Sequence, residues 1–317
     1  MNFPVFDLHC DTALSLVHKG KASNETLRKN QGHIDLERAK TLPGYCQCFA
    51  CFTTPGEELP DGISVTALFE REMDAVLGQI EENQDLIRLA YSAEDVEKNQ
   101  DAGLISGILT VEGPAGFGFD PELLEDLHRA GFRISSLGWN ERNVLTGSNV
   151  TGGGLTDLGK EYVKEAQRVG IAVDVSHISD EGFWDIMKIT SRPVIATHSN
   201  SRAVWNHSRN LTDDMFRAIC ETGGVAGFNL YSAFIGREPN LDTACQHILH
   251  FLELDPEGRH IALGGDLDGC DQLPKGFDGV DSYPAVAETL LRHGVGETIV
   301  RRIYWDNALE VLRACST

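Results

Sequence analysis

Short apolar runs alternate along this chain with longer polar or amphipathic stretches. Eight runs read as strands: residues 5–9, 46–53, 106–112, 133–137, 172–177, 194–198, 225–230 and 260–266. Gly107-Ile-Leu-Thr-Val and Pro193-Val-Ile-Ala-Thr are apolar throughout rather than alternating, as strands of a parallel sheet covered on both faces should be. Apolar positions at three- and four-residue spacing predict helices over 65–89, 121–130, 159–169, 180–189, 243–252 and 297–312. Thr212 reads as an N-cap, with Asp213 and Asp214 in the first turn of a helix over 215–221. Strands alternating with helices, eight strands in all, predict an α/β fold: a (β/α)8 TIM-type barrel. No internal repeat, low-complexity tract or linker divides the chain, so residues 1–317 are expected to form one domain.

Four of these runs end in, or run straight into, residues that bind metals. The first leads into His9-Cys10-Asp11, and two residues of extended chain put His9 and Asp11 on one face, about 7 Å apart. The third ends at Glu112, the fifth at His177 and the sixth at His198. In a barrel the carboxyl ends of the strands meet at one rim, so these ligand types converge. Three imidazoles and two carboxylates suit zinc better than calcium or magnesium. Five ligands are too many for one hydrolytic ion, and two ions resolve the count. His9, Asp11 and Glu112 would hold the first and Glu112, His177 and His198 the second, with Glu112 bridging and a hydroxide shared across about 3.5–4 Å.

The last strand ends in Gly264-Gly-Asp266-Leu-Asp268-Gly269, which places Asp266 as a proton-accepting base and Asp268 as its support. Histidines 18, 33, 128, 207, 247, 250, 260 and 293 lack a rim position. His247 and His250 share a helix face with no evident carboxylate partner and read as exposed surface. Residues 12–44 and the Gly-rich 145–155 are candidate walls of the site. Gly152-Gly-Gly154 lacks the Gly-Lys-Ser/Thr of a phosphate cradle and reads as a flexible turn.

A net charge of -21 opposes nucleic-acid binding and docking on anionic lipid. No signal peptide and no apolar stretch long enough for a membrane span is visible, so a cytoplasmic protein with eight reduced cysteines is expected. Cys46-Gln-Cys48-Phe-Ala-Cys51 reads as strand, not as a metal knuckle.

The ordered set Asp7-Leu-His-Cys-Asp11, Val111-Glu-Gly113, Asp174-Val-Ser-His177, Thr197-His-Ser-Asn-Ser-Arg202, Ser208-Arg209-Asn-Leu-Thr-Asp-Asp214, Thr222-Gly-Gly-Val-Ala-Gly-Phe-Asn-Leu-Tyr231 and Gly264-Gly-Asp-Leu-Asp-Gly269 resembles the membrane (renal-type) dipeptidase family, peptidase family M19. These are amidohydrolase-like metal-dependent hydrolases, and the resemblance runs from about residue 5 to 312. It implies a binuclear zinc enzyme, often a homodimer, that hydrolyses L-Xaa-L-Xaa or L-Xaa-D-Xaa dipeptides. The match places Arg209 on the substrate carboxylate, Tyr231 along that pocket, and Asp266 on the free amine and the proton relay. Glu112 joins Asp266 in the catalytic set. The sequence departs from the family at Trp139, next to Asn140 on the substrate wall, where many members carry a His that binds the substrate carbonyl. An indole donates one hydrogen bond and carries no charge. Two other readings share most of these residues: an amidohydrolase acting on another small amide or a lactone, such as an N-acyl amino acid, and an inactive metal-binding descendant.

Overall fold

The strand-forming runs assemble as parallel neighbours because each is followed by a helix that returns the chain to the same end of the sheet. A computed structural model describes residues 3–23, 26–54 and 62–315. Met1 and Asn2, residues 24–25 of the 12–44 excursion and the side chain of His18 lie outside the described residues. The strands are β1 (Val5–Cys10), β2 (Tyr45–Phe52), β3 (Ile87–Leu89), β4 (Ile105–Glu112), β5 (Phe132–Ser136), β6 (Ala172–Asp174), β7 (Val194–Ile195), β8 (Ala226–Phe228) and β9 (Ile261–Leu263). Their order is β7-β6-β5-β4-β2-β1-β9-β8, and a parallel bridge between Ala196 and Ala226 joins the two ends. The result is the expected eight-stranded, nearly closed parallel barrel. No helix among the described residues is long and apolar enough to cross a membrane.

β3 falls in the stretch expected to be helical to residue 89. The helix Val65–Glu82 stops at Asn83, whose Nδ2 donates to Gln79 O at 2.8 Å. Ile87–Leu89 then pairs with Ile105–Gly107 of β4, on the side where β5 pairs only from Leu109 onward. Helices Thr12–Ser23, Ala93–Asp101 and Tyr283–Arg292 also appear where none was expected. Residues 297–312 are helical as expected, with a π-helical turn at Arg302–Asp306.

Inside the barrel, Phe6, Leu8, Cys46, Cys48, Ile108, Ile134 and Ile195 pack on Ala308, Leu309 and Leu312 of the last helix, which closes the end opposite the site. Fully burying each aliphatic side chain stabilises the fold by about 1.5–3 kcal/mol. Asp7 pairs with Gln47 and Cys10 with Phe49, so β1 has two residues, Leu8 and His9, where β2 has only Cys48. This bulge reverses the alternation. Asp7 faces outward to the Tyr283 hydroxyl, and without the extra residue His9 would face the same way.

Four strands, β6, β7, β8 and β9, end two or three residues before the expected positions. β6 stops at Asp174 because its carboxylate binds the amides of Ser176 and Thr197, each at 2.9 Å, in place of further ladder bonds. His177 and Asp266, at φ 68° and 59°, adopt left-handed backbone that a strand cannot contain.

His247 is not on the surface. It is fully buried, with Nδ1 accepting from Ser201 N at 3.1 Å and Nε2 donating to Ile235 O at 3.1 Å. His250 does have carboxylate partners, Asp213 at 2.9 Å and Glu253 at 3.5 Å. The helical periodicity put both histidines on one face, but their spacing turns only His247 toward the barrel. Burial holds the His247 ring down to about 4. The unfolded chain therefore takes up a proton near pH 6.5 that the folded chain refuses until about 4. This group's contribution to stability is complete above that range and falls by about 3 kcal/mol as the pH drops through it. Denaturant unfolding across the range should show that slope, and His247→Gln should flatten it.

Candidate metal centre

The bulge in β1 and the early ends of β6, β7 and β9 bring four carboxyl-end segments to one point. His9 Nε2 lies 3.3 Å from Glu112 Oε2, 3.6 Å from Asp11 Oδ2 and 3.9 Å from Asp266 Oδ1. The other Glu112 oxygen, Oε1, is 2.8 Å from His177 Nε2 and 3.7 Å from His198 Nε2. The two histidine Nε2 atoms are 2.9 Å apart. Possible ligand atoms of His9, Glu112 and His198, and those of His9, Asp11 and Asp266, lie within 4.8 Å of one another. All five residues expected as ligands are buried and adjacent.

Burial pushes the Glu112 and Asp266 carboxyls up, and the His9 ring opposes it. For His9, burial disfavours the charged ring, but Glu112 and Asp11 outweigh it and hold the pKa well above its usual value. His177 and His198 are held low by burial. Three desolvated carboxylates around one imidazole are costly without a compensating cation. His9 Nε2 and Asp11 Oδ1 are buried without a hydrogen-bond partner.

The outer nitrogens of two rings are fixed. His177 Nδ1 donates to Asn140 Oδ1 at 3.0 Å. The Thr197 hydroxyl donates to Asp174 Oδ2 at 2.5 Å and accepts from His198 Nδ1 at 2.7 Å. Both rings thus carry their proton on Nδ1 and turn the Nε2 lone pair toward Glu112, as metal-binding histidines do.

The family model for membrane dipeptidase (peptidase family M19) matches residues 1–317. The chain belongs to this family. A Klebsiella pneumoniae protein encoded in the pqqA 5′ region, itself uncharacterised, is 34% identical over 241 residues, 72% of this chain and 88% of its own. Among solved structures, a Rhodobacter sphaeroides metallopeptidase bound to a phosphinate mimic of L-Ala-D-Ala is 26% identical and superposes with a TM-score of 0.89, covering 99% of this chain and 100% of the other. Dipeptidase AC, an M19 metallopeptidase, is 28% identical with a TM-score of 0.90 and full coverage of both chains.

In this M19 chain a cavity of about 230 Å³ opens beside the cluster, lined by Asp11, Glu112, His177 and Asp266 together with the apolar and aromatic side chains of Leu14, Phe52, Trp139, Tyr231 and Phe234. Asn140 lines it too, while its Oδ1 holds His177. Arg209 is 5% exposed and lies behind Phe234, whose ring centre is 5.4 Å from the guanidinium carbon. Its Nη atoms reach only Ser199 and His198 O, both at 3.4 Å, and Nε has no partner. Arg202 is committed to Asp180 by two bonds of 2.7 and 2.8 Å.

Asp268 does not support Asp266. Its left-handed backbone, φ 64°, turns the carboxylate to Thr12 Oγ1 at 2.7 Å and His33 N at 2.6 Å, which ties the 12–44 excursion to the rim. Asn229 takes the expected role, with Nδ2 donating to Asp266 Oδ2 at 3.0 Å. Gly269 lets Asp11 and Asp266 approach, since a Cβ there would meet Asp11 Oδ2 at 1.9 Å. The Gly-rich loop is held rather than free: Arg142 donates to Gly152 O at 2.8 Å, Ser179 to Gly153 O at 2.6 Å, and Asn149 N to His177 O at 2.8 Å.

Asn229, Thr197, Asp174 and Asp7 went unassigned in the sequence. Asp7 Oδ1 binds the amides of both His9 and Gly265 at 3.0 Å, so it joins the two segments that carry His9 and Asp266. Its signal was an aspartate two residues before a rim histidine. Asn140→Ala removes the acceptor of His177 Nδ1, and chelator competition should show divalent-metal binding about 10- to 100-fold weaker with the melting temperature nearly unchanged.

Proposed function

We propose that this chain is a zinc dipeptidase holding two ions, one by His9, Asp11 and Glu112 and the other by Glu112, His177 and His198. Its family places it among metallo-dipeptidases, hydrolases of peptide bonds. One observation carries the two-ion reading: the oxygens of a single buried carboxylate face different imidazoles, Oε2 toward His9 and Oε1 toward His177. A set of imidazoles and carboxylates suits zinc, and the unpartnered His9 Nε2 and Asp11 Oδ1 fit a cation between them. When bound, the ions supply Lewis acidity for the scissile carbonyl and lower the pKa of an attacking water.

The remaining chemistry belongs to side chains. Asp266 faces the cavity, and Asn229 fixes one of its oxygens, which leaves Oδ1 turned toward His9 to accept a proton from the attacking water and deliver it to the departing amine. Its carboxylate also suits the free amino group of a dipeptide. Arg209 is a buried cation without a carboxylate partner at hydrogen-bond distance, and a planar guanidinium pairs with a substrate carboxylate through two hydrogen bonds. Phe234 must yield for that contact. Tyr231, with its backbone N–H fixed on Asn229 Oδ1 at 2.6 Å, walls the same side. Anchors for both termini restrict the substrate to two residues. Eight free cysteines fit a reducing, cytoplasmic setting.

Hydrolysis of free dipeptides, with tripeptides spared and activity lost on chelation, is the expected outcome of a substrate assay. Asp266→Asn should lower kcat by about 10²–10⁴-fold while the metal stays bound. Arg209→Met should raise KM by about 10- to 100-fold and erase the difference between a dipeptide and its carboxamide. Undiminished turnover by Asp266→Asn, or equal use of acid and amide by the unaltered chain, contradicts the assigned roles.

A further inference from the structure

Beside its carboxylates the cavity carries three apolar side chains that the dipeptide chemistry leaves unused, Leu14, Phe52 and Trp139. The groups suited to the two ends of a dipeptide follow three neighbouring strands: Arg209 after β7, Tyr231 after β8 and Asp266 after β9. On the other strands Leu14 follows β1, the neighbour of β9, while Phe52 ends β2 and Trp139 follows β5. Phe52 and Trp139 meet edge to face with ring centres 5.1 Å apart, and the Trp139 ring lies 6.2 Å from that of His177. Aromatic pairs in this geometry hold each other in place. The apolar wall therefore reaches the ring of a proposed ligand and is already assembled.

Among the described residues that line the cavity there is no lysine or arginine; the carboxylates there are Asp11, Glu112, Asp266 and Asp268. A substrate anchored at both ends on the β7–β9 arc leaves a side chain to occupy the rest of the cavity. There it meets leucine, phenylalanine and indole.

We propose that Leu14, Phe52 and Trp139 form a side-chain subsite that selects dipeptides carrying a large apolar residue of the leucine or phenylalanine class. This rests on the dipeptidase reading. Apolar contact in such a pocket discriminates between side chains because each added methylene removes further hydrocarbon surface from water. Among the described residues an acidic side chain finds no counter-charge beside Leu14, Phe52 and Trp139, and it has carboxylates close by. The indole of Trp139 supplies a broad apolar surface that an imidazole would not.

The test is kcat/KM on the metal-loaded chain for dipeptides in which one residue is alanine and the other alanine, leucine, phenylalanine or aspartate, in both orders. In at least one order leucine and phenylalanine should exceed alanine by roughly 10- to 100-fold, with aspartate below alanine. Phosphinate analogues carrying the same side chains should follow the same order as competitive inhibitors, a reading that needs no turnover of the varied substrate. In Phe52→Ala and Trp139→Ala the ratio of phenylalanine to alanine should fall toward one, with thermal unfolding reporting whether each variant folds. Should a variant not fold, the panel and inhibitors on the unaltered chain still decide. Hydrolysis of the whole panel at equal rates, or a preference for alanine or aspartate, overturns the subsite and leaves the dipeptidase reading standing. If no member is hydrolysed, the reading beneath it fails instead.

Discussion

The architecture of the rim follows from one buried carboxylate shared between two groups of imidazoles. Glu112 sits at the end of β4 with each oxygen toward a different histidine, in a setting that raises its pKa by desolvation. Asp11 and Asp266 crowd the same few ångströms. A cluster of this kind is stable only when cations balance it and when its histidines present lone pairs rather than protons. The hydrogen bonds from His177 to Asn140, and from His198 through Thr197 to Asp174, meet the second condition.

The barrel supplies this arrangement through departures from regular strand geometry. The β1 bulge turns His9 inward and leaves Asp7 outside, where it binds the amides of His9 and Gly265. The Asp174 carboxylate takes amides that would have lengthened β6, and His177 and Asp266 hold left-handed backbone. Such conformations cost of order 1–3 kcal/mol each and persist where the surroundings fix them. The plug of apolar side chains beneath, closed by the last helix, is the rigid support.

The barrel itself was legible because continuous apolar runs separated by helix-length segments admit few folds. The rim residues were legible because ligand types recur at one end of those runs, which is a one-dimensional signal. What the sequence hid depends on chain direction in space. Period-two alternation could not disclose that His9 lies in a bulge. Nor could it show Asp268 turning away to Thr12 and His33, so that Asn229, and not Asp268, holds Asp266. Helical spacing placed His247 and His250 on one face, but only the packed structure shows the first buried and the second paired with Asp213. The backbone contacts that hold the Gly-rich loop were hidden for the same reason: its partners Ser179 and His177 come from another strand's end.

The central claim is that Glu112 bridges two ions. Anomalous diffraction at the zinc edge from crystals of the metal-loaded chain tests it most directly. The account predicts two peaks about 3.5–4 Å apart, one beside each oxygen of Glu112, with His9 and Asp11 on one and His177 and His198 on the other. One peak at full occupancy, or a pair to which Glu112 contributes no oxygen or only one ion's ligand, would contradict it.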